Sequence, residues 1–339
     1  MKSLNNLVRN LVIFVLLIVL TFMLVFKDQS ISDLLNLVLS VNKTYIFLAI
    51  ICMALYFAFE ALNIKTILKT LKKNIKFLSM LRYCLVGFFF SGITPSASGG
   101  QPMEIYFMHK DGIRVAHSTV ALLVQLISFQ FITIVCGIIG ACFNYNLIKD
   151  GLIWLFIAGI SLNFIALLTM VICLFSNSLA KKIVNFFVKI LAKFKYRNID
   201  KVKENLTSTL DSYKESSRII KNHKDLFIKS FFIVLCQVAS YYTITYCIYK
   251  SFGLDTLGYF KIISIQAMLY VSVSSMPLPG AVGISEGAFL GIYNTIFGAS
   301  LVSGATILNR TVNFYLYIII GLICTLLSTL KLEINKTKN

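Results

Sequence analysis

Residues 94–106 read TPSASGGQPMEIY, and residues 277–289 read PLPGAVGISEGAF. These two stretches hold all four prolines of a 339-residue chain, Pro95 and Pro102 in one and Pro277 and Pro279 in the other. Proline lacks an N–H and biases the residue before it away from the helical region. Glycines crowd the same places: Gly99 and Gly100 in the first, Gly280, Gly283 and Gly287 in the second. Each stretch therefore reads as the broken tip of a helical hairpin.

The sequence on either side of these tips is apolar. The chain is 58% hydrophobic and 14% charged, with a mean hydropathy of +0.81. Apolar runs cover about 8–26, 45–62, 78–93, 115–143, 152–175, 227–249, 260–276 and 301–330, and several reach the length of about 20 residues that crosses a bilayer as a helix. A soluble enzyme, a secreted disulfide scaffold and a disordered chain are excluded. The first run continues into further spans and no small-residue cleavage pattern follows it, so it reads as a retained helix rather than a signal peptide.

Lys and Arg number 32 against 14 Asp and Glu, a net charge of +18. This would suit a nucleic-acid binder, but the positions of the charges argue otherwise. With the N-terminus cytoplasmic, 26 of the 32 basic residues fall in cytoplasmic connections. Lys27, Lys43, Lys149, Lys250 and Lys261 fall outside, and Arg310 alone lies within a span. This is the positive-inside pattern of a multi-pass protein, with both termini cytoplasmic and no nucleic-acid partner.

For that count to close, 78–110 must enter and leave on the cytoplasmic side, and 259–298 on the outer side. The first arm of 78–110 is short; its 16 residues make about 24 Å of helix, less than a hydrocarbon core of about 30 Å. Irregular backbone at membrane depth survives where it is buried in protein or lines a wet cavity. The expected fold is an all-α polytopic membrane protein of about six full spans plus two opposed re-entrant hairpins. Its parts are 1–43 (N-terminal span and outer connection), 44–150 (first repeat), 151–229 (extra span and basic connection) and 230–339 (second repeat). Paired interrupted segments in two halves point to a transport site near the midplane. Within the basic connection, Ile183, Phe187, Ile190, Leu191 and Phe194 recur at helical spacing among lysines. They form either an amphipathic helix on anionic inner-leaflet lipids or a solvated connector.

Three carboxylates fall outside the connections: Glu60 near the end of the second span, Glu104 just past the first tip and Glu286 just past the second. Charged groups at such depth are functional candidates by default, although Glu60, close to Lys65, reads as interfacial. Glu104 and Glu286 follow their breaks at comparable points, and Arg310 can reach the second tip. Its guanidinium suits bidentate phosphate binding. N–H groups exposed after Gly99–Gly100 or Gly283 add an anion site, and nearby carboxylates would accept an ammonium. The same residues also fit an internal Glu286–Arg310 ion pair that only holds the hairpin. Ser96, Ser98, Gln101, Ser274, Ser275 and Ser285 fit a hydrated site, or equally the repair of broken-helix hydrogen bonds. Gln125, Gln130, Gln237 and Gln266 read as interhelical hydrogen-bonding groups. The eight cysteines, without a C-x-x-C, read as small buried residues. His109 and His117 have no further ligand at metal spacing, so no metal is expected, and no cofactor or nucleotide-binding motif is present.

The two tips, followed by the Arg of LNRTVNFYLY, resemble the lysylphosphatidylglycerol synthase transmembrane (flippase-like) family. This is the membrane portion of the multiple peptide resistance factors, and it also occurs stand-alone. By that resemblance Pro95, Gly99, Gly100 and Pro102 match the first motif, and Pro279, Gly280, Gly283, Glu286, Gly287 and Arg310 match the second. Gln101 stands where relatives often carry a carboxylate, and Ser285 where many carry a basic residue. The resemblance implies a flippase-type transporter of an aminoacylated, lysyl-phosphatidylglycerol-like phospholipid, linked to cationic-peptide resistance, in a bacterial plasma membrane. Its partners would be the phospholipid, inner-leaflet lipids, a separate lysyl-lipid synthase or glycosyltransferase, and a second copy of the chain. The chain is expected to lack the soluble aminoacyltransferase domain of full-length synthases. Two alternatives stay open. One is a polyprenyl-phosphate or glycolipid carrier, or an accessory to a membrane glycosyltransferase. The other is a membrane-embedded phosphatidylglycerol lysyltransferase, for which Ser98 or Ser285 beside a carboxylate is a poor nucleophile without a histidine.

Overall fold

In the computed structural model, which describes residues 31–148, 153–176, 199–276 and 278–337, the apolar runs are helices. They are α1 (Ile31–Ser40), α2 (Lys43–Thr70), α3 (Phe77–Gly92), α4 (Gly100–Lys110), α5 (Val115–Phe143), the one-turn α6 (Tyr145–Ile148), α7 (Ile153–Phe175), α8 (Ile199–Asn222), α9 (Lys224–Ser251), α10 (Tyr259–Val273), α11 (Ile284–Phe297), α12 (Val302–Arg310) and α13 (Leu316–Thr337). No strand occurs among the described residues. The run at 8–26, the amphipathic candidate at 183–194 and Pro277 lie outside them.

Among the described residues, five stretches are long and apolar enough to cross a membrane: α2, α5, α7, α9 and Val302–Leu330. These are five of the six expected full spans. α3 and α10 are apolar but shorter, α3 as the first hairpin's arm was expected to be. Large apolar side chains point outward all round, including Phe47, Trp154, Phe164, Phe232 and Leu327. That is the surface of a chain whose solvent is lipid.

Between helices in lipid the hydrophobic effect contributes little, so close backbone approach and interhelical hydrogen bonds hold the bundle. The central pair is α2 on α9. Asn42 starts α2 by accepting the Thr44 N–H on its side chain at 3.0 Å, and its own N–H donates to the Ser251 carbonyl ending α9 at 2.9 Å. A buried amide chain then ties α2, α5 and α9. Asn63 donates to Gln125 and, at 2.9 Å, to Ser230, while Gln125 donates to Gln237 at 2.9 Å. Gln130 donates to Asn163 of α7. These glutamines are thus the interhelical groups the sequence suggests, each worth on the order of 1 kcal/mol.

The hairpin arms pack crosswise: α3 lies on α13, and α10 lies on α5. Two glycines make this possible. A Cβ on Gly321 would stand 2.5 Å from the Leu85 carbonyl oxygen of α3, and one on Gly137 would stand 2.5 Å from Val271 Cγ1 of α10. Gly137 and Gly321 are 184 residues apart, the same interval that separates Pro95 from Pro279. Each half thus lends its long helix to the other half's hairpin at equivalent glycines.

Outside this arrangement, α8 ties the end of α7 to the bundle. Ser217 donates to the Leu174 carbonyl at 2.5 Å and Tyr213 to that of Cys173 at 2.9 Å. Burial pushes the Tyr213 phenol up to about 12, so it stays a neutral donor. All eight cysteines are free thiols; Cys84 and Cys247 are buried, whereas Cys142 and Cys236 are exposed, against the expectation that they pack inside.

Candidate functional site

The first break is built by Thr94. Its hydroxyl donates to the Phe90 carbonyl at 2.6 Å and accepts the Gly99 N–H at 2.9 Å, folding the chain through a three-residue 3-10 turn, Pro95–Ala97. α4 then runs back along α3. Gly100 allows this, since a Cβ there would stand 2.0 Å from Ser91 Oγ and 2.8 Å from the Gly87 carbonyl. At the open end, Asp111 receives both Arg82 and Tyr83.

The second break repeats the device. Its 3-10 turn is Pro279–Ala281, and Ala281 at φ 51° matches Ala97 at φ 53°, both left-handed. The two turns touch each other, so the tips meet. Gly283, at φ 87°, starts α11, and its N–H donates to Glu286 Oε2 at 2.8 Å. Glu286 thus caps its own helix, where a negative charge is favoured.

Arg310 reaches this tip as expected. Its Nε donates to Glu286 Oε1 at 2.8 Å and its Nη2 to the Gly280 carbonyl at 2.9 Å. The guanidinium carbon lies 4.4 Å from the Phe314 ring centre, and the Tyr315 hydroxyl donates to Glu286 at 3.4 Å. Both charged groups are buried, Glu286 at 3% exposure and Arg310 at 9%. The internal ion pair therefore exists. Immediately after Arg310 the helix opens into a π turn, Thr311–Tyr315, a distortion frequent at functional sites.

Where the tips meet lies a cavity of about 210 Å³. Arg310, Asn309, Asn313, Gln266, Ser274 and Ser285 supply its polar lining, and Tyr56, Phe88, Tyr241, Tyr270, Phe289 and Phe314 its aromatic lining. Asn313 is 5% exposed and its side-chain amide oxygen has no hydrogen-bond partner. Tyr56, Tyr241 and Tyr270 form a ring cluster, with centroids 5.6 Å and 5.3 Å apart in succession.

Of the residues singled out in the sequence, Arg310, Ser285, Gly280 and Ser274 line this cavity, and Glu286 sits behind Arg310. Ser98, Gly99, Gly100, Gln101, Gly283 and Glu104 belong to the hairpins but are not among its lining. Ala97 is the part of the first turn that reaches it. Gln266 lines it while accepting from Tyr293 at 3.2 Å. Glu104 is the clearest departure. By the 184-residue interval, Glu286 corresponds to Pro102, and Glu104 to Ala288. Two residues on a helix are about 200° of rotation, so Glu104 turns onto Gly87 of α3 instead. Asn309, Asn313 and the three tyrosines went unnoticed in the sequence. Asn309 offered a signal, since it stands 184 residues after Gln125. No group of three metal-ligating side chains occurs among the described residues.

Helices of this length around a polar cavity at two broken hairpins define a multi-pass helical membrane protein. The family described as the lysylphosphatidylglycerol synthase TM region matches over residues 8–321, and the chain belongs to it. It is similar to UPF0104 membrane proteins of archaea. That of Pyrococcus horikoshii is 23% identical over 305 residues, 86% of this chain and 89% of the relative. That of Archaeoglobus fulgidus is 22% identical over 306 residues, 88% and 90% of the two chains. One from Methanothermobacter thermautotrophicus is 22% identical over 331 residues, 94% and 93%.

Proposed function

We propose that this protein moves a phospholipid between the leaflets of a plasma membrane, with the lipid phosphate held at Arg310 in the cavity between the hairpin tips. The observation that carries the reading is the cavity lining itself: one buried guanidinium, a donor for a phosphate, and an unpartnered Asn313 side-chain oxygen, an acceptor for an ammonium, among aromatic rings. A cavity of about 210 Å³ suits a headgroup rather than a whole lipid.

Glu286 fixes the guanidinium in place, and Ser285 of α11 lines the same corner. An ammonium on the headgroup would face the π clouds of Tyr56, Tyr241 and Tyr270, which favours an aminoacylated lipid. The crosswise packing at Gly137 and Gly321 supports two repeats in opposite orientation. With the basic connections cytoplasmic, α3–α4 enters from the inside and α10–α11 from the outside. Rocking one repeat against the other would open the cavity to each leaflet in turn.

The test is lipid movement in vesicles carrying fluorescent phosphatidylglycerol, read by external quenching. Arg310→Ala is expected to slow it more than tenfold. Arg310→Lys keeps the charge but loses the planar fork and should fall between. Unchanged movement by folded Arg310→Ala protein would overturn the phosphate role.

A further inference from the structure

A second recess lies beside the cavity. Between α5, α9 and α10 runs an apolar groove of about 420 Å³, twice the volume of the cavity. Its lining is small along the seam of α5 and α10, at Cys136, Gly140, Ser264 and Ala267. At the mouth it is large, where Phe143 ends α5 and Phe260 lies in the first turn of α10. Gly140 makes the seam, since a Cβ there would stand 2.2 Å from the Ser264 carbonyl oxygen. Cys136 and Phe143 are seven residues apart, about 10 Å of helix. Ile139, Phe143 and Phe260 are exposed, so the groove opens sideways to lipid.

Two groups of this lining have hydrogen bonds to give. Tyr242 of α9 is 4% exposed, and its hydroxyl has no partner. An unpaired buried hydroxyl is costly, so it points to an acceptor that the protein does not itself supply. Lys261 stands at the mouth and donates a long bond, 3.4 Å, to the Phe143 carbonyl. It pairs with no carboxylate among the described residues, whereas Lys250 is held by Asp255. Ser264 is already engaged: its hydroxyl donates to the Lys261 carbonyl at 2.8 Å and accepts from Asn144 at 2.9 Å.

Tyr242 also joins the groove to the cavity. Its ring centre lies 6.1 Å from that of Tyr241 and 6.0 Å from that of Tyr270, and both of those line the cavity. The other half has no counterpart. By the 184-residue interval, Gly140, Ser264, Ala267 and Tyr242 correspond to Cys324, Met80, Tyr83 and Ala58. The equivalent seam is therefore filled by larger side chains and lacks the hydroxyl. With the basic connections cytoplasmic, the groove lies in the outer half of the membrane.

An occupant has to bring an anion to Lys261, an acceptor to Tyr242 and an apolar segment to the seam. A diacyl phospholipid carries all three, as phosphate, ester carbonyl and acyl chain. We propose that the groove binds one anionic phospholipid of the outer leaflet. Its phosphate sits on Lys261, an ester carbonyl accepts from Tyr242, and an acyl chain lies along the seam of α5 and α10. Next to Tyr241 and Tyr270, this lipid occupies the outer station from which a headgroup enters or leaves the cavity. Only that role rests on the transport reading; the binding site stands on its own geometry.

The probe is phosphatidylglycerol with a photoactivatable diazirine in one acyl chain, added to the full chain in detergent. It should label residues 136–143 and 260–267. Tyr242→Phe breaks no hydrogen bond within the protein and should cut this labelling about three- to tenfold. With a diether probe, which keeps the phosphate but has no ester carbonyl, the same substitution should change nothing. Lys261→Gln, at an exposed position, should fold whatever Tyr242→Phe does, and should cut labelling by both probes alike. Label spread evenly along α5 and α10 overturns the site. So does a Tyr242→Phe loss equal for the two probes, or labelling unchanged in Lys261→Gln. Movement of fluorescent phosphatidylglycerol in vesicles separates the two readings. It should slow in Lys261→Gln, and unchanged movement overturns the station role. If the groove labels as expected and the parent moves no lipid, the binding site stands and the transport reading falls.

Discussion

The two hairpins share a backbone and differ in where they place a carboxylate. Both turn through a proline-led 3-10 segment with a left-handed alanine as its third residue, and both restart a helix at a glycine. In the second hairpin Glu286 comes three residues after Gly283 and is met by that glycine's N–H, by Arg310 and by Tyr315. In the first, Glu104 comes five residues after Gly99, faces the opposite side and keeps an oxygen without a partner. A shift of two residues on one scaffold thus separates a fixed charge pair from a buried acid with an unpartnered oxygen.

The sharpest way to break this contrast is to remove each acid. Glu286→Ala leaves the Arg310 charge buried and unpaired and should cost about 3–5 kcal/mol, read as a fall in thermal unfolding temperature in detergent. Glu104→Gln removes no partner and should stay within about 1 kcal/mol of the parent. Equal losses would mean that the two acids play one structural role. Glu286→Ala with Arg310→Ala should recover part of the single-variant loss, since the stranded charge goes too.

The crosswise packing offers a smaller effect. Gly321→Ala sets a methyl against the Leu85 carbonyl oxygen and Phe89 Cβ, which cannot move without the helix, whereas Gly137→Ala meets the side chain of Val271. Overpacking costs roughly 1–3 kcal/mol, with Gly321→Ala expected at the upper end and Gly137→Ala at the lower. Unfolding of the two variants in parallel checks the order, and a costlier Gly137→Ala would contradict the packing described.

These pairs also show what the sequence made legible. Prolines and glycines announce broken helices whatever surrounds them, so both tips and the reach of Arg310 to the second could be read directly. Hydropathy located the long helices, but it truncated α2 because Lys65 and Lys69 look like an ending although the helix continues past them. The facing of Glu104 was legible and misread: counting from proline to proline shows the two-residue shift, whereas distance from the break alone makes the acids look alike. The tyrosines come together only when α2, α9 and α10 pack. The π turn after Arg310 has no sequence signature, because a five-residue bulge depends on what the helix packs against.

The smallest effect compares the turns themselves. Gly280 and Ser96 are the middle residues of equivalent turns, and Ala281 and Ala97 follow them at left-handed φ. An L-residue pays about 1–2 kcal/mol there, while glycine brings an unfolded-state cost of about 0.5–1 kcal/mol. Ala97→Gly should therefore gain at most about 1.5 kcal/mol. Gly280, at φ 58°, has no such freedom in reverse, because a Cβ would stand 2.2 Å from the Phe314 ring that lies under Arg310. Gly280→Ala should cost about 1–2 kcal/mol, since the ring can swing aside but the backbone strain stays. It should also slow lipid movement, because Phe314 lines the cavity. Ala97→Gly, in the other turn, touches no such ring. If both substitutions moved stability in the same direction, the left-handed geometry would not be what the two turns share.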